Sequence, residues 1–275
     1  MINISDQRDD DLTFAGLANN PFLAWDNFAS GATFSGTATE PGGAGSNTVS
    51  GATNDFWLPT VSGSNTATLN LDLGAARAAT FFAVAAHNLA EYGATLKLQY
   101  STDGATFLDA AVAPVADDKP VVFRFVETEA RYWRVLVSAI TAADPIAVGV
   151  VFLGAEMIIP ARVYQEYTPI IVPNIVTLNS NVSEGGHLMG TSVTTAGATV
   201  DLPMRYLRPA FIRGDFLPFM QHFNGGGGLF YAWRPAKYPE DVHYAWRNGA
   251  VVQPGHSGIR DLMDFTLAMR VYNDR

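Results

Sequence analysis

Hydrophobic and polar residues alternate with a period of two in three stretches of this chain: residues 69–74 (LNLDLG), 96–107 (LKLQYSTDGATF) and 123–137 (FRFVETEARYWRVLV). Leu69, Leu71 and Leu73 point one way, Asn70 and Asp72 the other; Leu96, Leu98 and Tyr100 alternate with Lys97 and Gln99 until Asp103-Gly104 turns the chain. Successive side chains of a strand lie on opposite faces, and Asp-Gly is a favoured reversal between paired strands. The pattern predicts an antiparallel sheet with one buried face. The apolar stretch 146–159 is interrupted by Gly149, Gly154 and Glu156 and reads as a further buried strand. It falls short of the roughly 20 apolar residues of a membrane helix.

The rest of the chain is organised around that sheet. Residues 1–30 read as a lead-in that packs onto it, with residues 1–23 as the lead-in segment proper and Phe22, Trp25 and Phe28 as anchors. Residues 30–54, rich in Gly, Ala, Ser, Thr and Asn, read as loop with short edge strands. A boundary is expected at 159–161, where Pro160 ends a strand. The second part opens with a β-rich run over 163–178 punctuated by Pro169 and Pro173, then Gly185-Gly186 and a Thr/Ala/Gly ribbon over 191–199. Phe216, Leu217, Phe219, Met220 and Phe223 have near-helical spacing, which predicts one short helix starting at Gly214 or Asp215 and ended by the glycines at 225–228. Residues 229–233 and 242–246 read as strands, and Phe265, Leu267, Met269 and Val271 alternate in a last one. The expected fold is mainly β, in two units: 1–160 and 161–275.

Composition narrows the chemistry. The 275 residues suffice for one large core or two ordinary ones. There is no cysteine, so disulfides, thiolate metal sites and cysteine nucleophiles are excluded. Residues 1–160 carry 17 acidic against 7 basic side chains, residues 161–275 9 against 10. An acidic first half repels phosphate backbones, and the arginines at 205, 208, 213, 234 and 247 form no basic cluster, so nucleic-acid binding is not expected. The polar, acidic N-terminus lacks the basic-then-apolar order of a secretory signal; the expectation is a chain made in the cytoplasm, without a signal peptide and without membrane insertion.

Candidate catalytic patterns have simpler readings. Gly225–Gly228 is followed by Leu-Phe-Tyr rather than by Lys and Ser or Thr at the start of a helix, so it reads as a flexible turn, not a phosphate cradle. His187, His222, His243 and His256 lack the short spacings of zinc sites. Ser257 has glycine at the wrong offset for a nucleophile elbow. Asp117-Asp118 and Glu127/Glu129 read as solvated surface. No catalytic residue, cofactor or metal is expected.

The first unit resembles the discoidin family of galactose-binding-like jelly rolls. Asp55-Phe56-Trp57-Leu58, the LNLDLG strand, Ser101-Thr102-Asp103-Gly104-Ala105-Thr106-Phe107 and Ala130-Arg131-Tyr132-Trp133-Arg134-Val135 carry the resemblance, over residues 24–156. It implies a two-sheet sandwich that binds glycans, lipid headgroups or proteins through loops at one end. Asn54, Trp57, His87 and Asn88 are then the candidate glycan contacts. Trp57 reads first as a core tryptophan and second as a sugar platform; His87 and Asn88 serve equally well as loop caps.

His87-Asn88-Leu89 followed by Gly93-Ala94-Thr95 is similar to discoidin-like domains of tailed-bacteriophage structural proteins. Residues 163–275 resemble more loosely the β-barrel of phage distal-tail and minor tail proteins, through Arg205-Tyr206-Leu207-Arg208-Pro209, residues 219–223 and Gly228-Leu229-Phe230-Tyr231-Ala232-Trp233-Arg234-Pro235. That likeness implies a virion structural protein of the phage tail: a ring-forming distal-tail or tail-tip subunit. Its partners would be copies of itself, the tail tube and the tip or hub, with a host surface glycan as a further one. Phe230, Tyr231, Trp233 and Arg234 are the expected assembly face. The alternative is a soluble carbohydrate-binding protein or adhesin. An enzyme fits least, because residues 161–275 are too few for most glycosidase folds and hold no acid pair.

Overall fold

The computed structural model describes the chain except residues 6, 7, 9–11, 13, 14, 62–64, 142, 143, 164, 165, 172, 173, 259 and 273–275. Pro173 and the acidic Asp6, Asp9, Asp10 and Asp11 thus lie outside the described residues. The first seven-stranded sheet holds β1 (Ile2–Ile4), β3 (Thr33–Gly36), β4 (Thr66–His87), β5 (Thr95–Ser101), β6 (Leu108–Pro114), β7 (Val121–Ser138) and β8 (Val148–Gly154). Its order is β3-β4-β7-β5-β6, with β8 beside the second half of β4 and β1 parallel to the start of β7.

β4 and β7 pair across two register shifts, between Asp72 and Arg77 and between Ala79 and Phe81. Extra residues of this kind bend a strand. The sheet therefore folds over, and its front half (Leu69, Leu71, Leu98, Trp133, Val135) and back half (Phe82, Val84, Phe123, Val151, Leu153) share one core. Trp133 is fully buried between Tyr100 and Phe125, its indole N–H donating to the Ala130 carbonyl at 3.1 Å. The alternation read from the sequence is this front layer. The apolar stretch after 146 is β8, buried along its whole length.

The second sheet runs β12 (Thr199–Leu207), β16 (Met263–Val271), β14 (His243–Arg247), β13 (Leu229–Ala232), β2 (Phe22–Ala24), β9 (Met157–Ile158), with β15 (Gly255–His256) on β16. Two of its strands come from ahead of the expected boundary. The lead-in divides: β1 joins the first sheet, β2 pairs with β13, and Phe28 packs in the sandwich while Trp25 packs on the second core. A three-residue strand carries too little pattern to say which sheet it will complete.

The expected single helix is two, α1 (Pro209–Arg213) and α2 (Phe216–Asn224), separated at Gly214-Asp215. Pro209 opens α1, where a missing N–H costs nothing. Phe216, Phe219 and Phe223 line the buried side of α2 and pack with Phe265 and Leu267 on one face of the second sheet. Of the glycines that end α2, Gly226 has φ +92°, and a Cβ at Gly227 or Gly228 would collide with the His222 ring or the Tyr244 hydroxyl. This is a closely packed turn, where flexibility was expected. The other face of the sheet lies against the back of the sandwich: the Phe152 ring meets Phe230 edge-on at 5.4 Å and Tyr244 at 6.1 Å.

β10 (Asn174–Val182) and β11 (Leu188–Gly197) form a two-stranded antiparallel hairpin that, among the described residues, pairs with no other strand. Val182, Leu188, Met189 and Val193 are exposed on it. No helix among the described residues is long and apolar enough to cross a membrane.

Candidate functional site

Residues whose side chains alternate away from the sandwich core build a recess on its outer face. Strand register puts them in two rows, Thr33–Asp72–Tyr132 and Ser35–Asn70–Arg134, each running across β3, β4 and β7. The turn at 101–107 folds over this face and adds Gly104, Ala105 and Phe107, closing a recess of about 540 Å³. That lies within the usual ligand-pocket range of about 300–1,000 Å³.

The turn is held by its own polar atoms. The Asp103 carboxylate accepts from the backbone N–H of Ala105 and Thr106, both at 2.9 Å, and from the Ser101 hydroxyl at 2.7 Å. These bonds, led by Thr106, hold the Asp103 pKa down at about 2. Gly104 sits at φ +75°, and a Cβ there would lie 3.3 Å from the Tyr132 ring. Asp72 takes a bidentate pair from Arg131 at 2.7 and 2.8 Å, and the Gly74 N–H at 2.8 Å. The Arg131 bonds foremost bring its pKa to about 2. Both carboxylates thus stay ionised far below neutral pH, so the floor and the turn keep their geometry there.

Arg134 is different. Its guanidinium lies 3.6 Å over the Phe107 ring, and no carboxylate among the described residues pairs with it. Its Nε is buried without a hydrogen-bond partner, as is Oδ1 of Asn70, its cross-strand neighbour. Buried polar atoms are nearly always bonded. Here a donor and an acceptor stay unpaired on cross-strand neighbours, next to two aromatic rings and two hydroxyls. The set can hold a small polyhydroxylated molecule; it contains no nucleophile–base pair.

The residues expected to touch glycan lie elsewhere, and the structure brings three of them together. Trp57 and His87 both face Val148 across strand pairings, and Asn88 adjoins them. Their polar atoms are used internally. Asn88 donates to the Pro145 carbonyl and accepts from the Ala147 N–H, both at 2.8 Å. The His87 ring is 3.1 Å from the Lys119 carbonyl and 3.5 Å from the Asp118 carboxylate, whose pKa it lowers as the largest cause. Trp57 is 1% exposed, so it is a core residue and not a platform. Asn54 is exposed in its turn.

The expected assembly face is corrected in part. Phe230 and Tyr231 are fully buried: Phe230 faces the seam with the sandwich, Tyr231 the helical core. An apolar strand covered on both faces reads in sequence like a sticky surface. Trp233 and Arg234 are half-buried in a local corner, where the Trp233 indole donates to Asp241 at 2.9 Å. Among the described residues no three His, Asp or Glu side chains gather as a metal site would need.

No protein-family model and no curated protein matches the chain. Solved structures give partial likenesses. The CpGH89CBM32-5 module of Clostridium perfringens, solved with GalNAc-β-1,3-galactose, is 15% identical with a TM-score of 0.41, covering 47% of this chain and 100% of the module. Chitosan-binding module 1 of a chitosanase/glucanase from Paenibacillus sp. IK-5 gives 16% and 0.41 over 46% and 97%. A Ruminococcus gnavus GH29 fucosidase gives 14% and 0.41, and the chain spans only 27% of its length.

Proposed function

We propose that the chain is a non-catalytic carbohydrate-binding protein that holds its ligand in the recess between Tyr132, Phe107, Asn70 and Arg134. The observation that carries this reading is the unsatisfied acceptor and donor, Asn70 Oδ1 and Arg134 Nε, on cross-strand neighbours of one strand row beside aromatic rings. Sugars offer both donors and acceptors to such a pair, and their C–H faces suit aromatic walls. No carboxylate among the described residues pairs with Arg134, so acidic sugars bind more tightly than neutral ones. The charge of −10 on residues 1–160 opposes this only over distances that salt screens within about 8 Å.

Binding of the full chain to a panel of neutral and uronic-acid oligosaccharides tests the proposal. Arg134→Ala is expected to weaken binding of the best ligand by about 10–100-fold, the loss of one or two hydrogen bonds to a charged group. The melting curve should stay in place, because Arg134 makes no ion pair among the described residues. Equal affinity of wild type and variant, or no binding to any member of the panel, refutes it.

The hairpin β10–β11 favours a second reading, the ring-forming phage-tail subunit that the resemblance implies. An isolated two-stranded ribbon is marginal in water, and this one exposes four large apolar side chains that a neighbour would cover. Light scattering and electron microscopy should then find closed oligomers, and replacing residues 180–190 with a two-residue turn should leave a folded monomer. A wild-type chain that remains monomeric at about 100 μM, above the range of ordinary stable interfaces, removes this reading.

A further inference from the structure

A second cavity, of about 520 Å³, shares no lining residue with the recess and lies where the 119–120 corner of the sandwich meets the 238–243 connection of the second sheet. We propose that this chamber binds a planar aromatic molecule that donates a hydrogen bond to His243.

The walls select the shape. Trp233 and Tyr238 stack at 5.3 Å with planes 19° apart, and the indole N–H is tied to Asp241. They form a rigid aromatic part of the wall, and Ile170, Val242 and Pro120 complete an apolar lining. Ile171 stands 87% exposed at the rim. Polar sugars find few partners here, while a flat ring recovers dispersion and apolar burial on several sides.

His243 selects the polar group. Its ring packs on Tyr231 at 5.4 Å, and its Nε2 is buried with no partner among the described residues. Burial first, then the positive charges of the Met1 amino group and Lys119, lower its pKa to about 4. The imidazole is therefore neutral at pH 7, and in the tautomer that carries its proton on Nδ1 the unpaired Nε2 is the nitrogen that accepts. Of the carboxylates at the chamber, Asp241 is engaged by Trp233, and the chamber also holds Glu240 and the Lys119 ammonium. A phenol or an indole N–H supplies what the imidazole lacks; an ether or a bare hydrocarbon does not.

The test uses 2-naphthol and its methyl ether against the full chain, followed by ligand-observed NMR and by the Trp233 indole N–H resonance. This proposal stands apart from the glycan reading, because Arg134→Ala must leave naphthol binding unchanged. The expected result is saturable 1:1 binding of 2-naphthol that shifts the Trp233 signal, with the ether at least about tenfold weaker, as for one lost hydrogen bond. In His243→Phe the naphthol affinity should fall to that of the ether. Equal affinity of the two probes for the wild type, a preference that survives in His243→Phe, or binding that leaves Trp233 unmoved would each overturn it. The wild-type comparison decides the matter even where the variant does not fold.

Discussion

Glu156→Ala should destabilise the protein by about 3–5 kcal/mol, enough to unfold a domain of ordinary marginal stability. Arg124 Nε and Nη2 donate to Glu156 at 2.5 and 3.0 Å, both side chains are 1% exposed, and Arg8 reaches the same carboxylate. Arg124 also lies 4.8 Å over the Phe22 ring, so the group joins β7, β2 and the end of β8 where the two sheets meet. Removing the acid leaves a guanidinium buried without a counter-charge; its desolvation is no longer offset, and that decides the sign. Arg8, partly exposed, can rehydrate. The double variant Arg124→Met/Glu156→Leu should recover most of the loss, because two apolar side chains of similar volume carry no such penalty. Urea unfolding of the wild type, Arg124→Met, Glu156→Leu and the double variant measures the coupling, with Glu156→Ala followed beside them. A single-variant loss below about 1 kcal/mol, the scale of an exposed pair, contradicts this account.

Phe230→Ala should cost about 3–5 kcal/mol as well, through a cavity at the seam between the sheets. The ring is fully buried against Phe152 and Tyr244, at 5.4 and 5.0 Å, and the Tyr244 hydroxyl donates to Gly51 O at 2.8 Å, so the surroundings are pinned and collapse poorly. This contact is within one chain. The loss should therefore be the same at any protein concentration, whereas an inter-subunit contact would make it vary with dilution by mass action. Thermal melts over a hundredfold range of concentration separate the two. A concentration-dependent shift would return Phe230 to an assembly interface.

Local chemistry was legible in this chain wherever one strand or turn specifies its own surroundings. Period-two alternation identified the front layer of the sandwich, Asp103-Gly104 identified the turn that walls the recess, and the phenylalanine spacing identified the helical region. Asn70 and Asp72 were already visible as outward positions, and Tyr132 and Arg134 alternate with buried Trp133 and Val135 in the same way. That they form one site was not visible, because the rows depend on which residue of β4 stands opposite which residue of β7, roughly sixty positions away. The same limit explains the lead-in. Phe22–Ala24 and Met157–Ile158 are too short to carry a period, and only long-range pairing assigns them to the second sheet. Gly214 divided the helix by its backbone, and Phe230 went to a seam inside the chain because both faces of its strand found cover. The amino-acid order alone determined the longer alternating strands, the turn and the polarity of their faces; the tertiary fold decided which faces meet, since burial is a property of pairs of surfaces and no residue carries its partner's address.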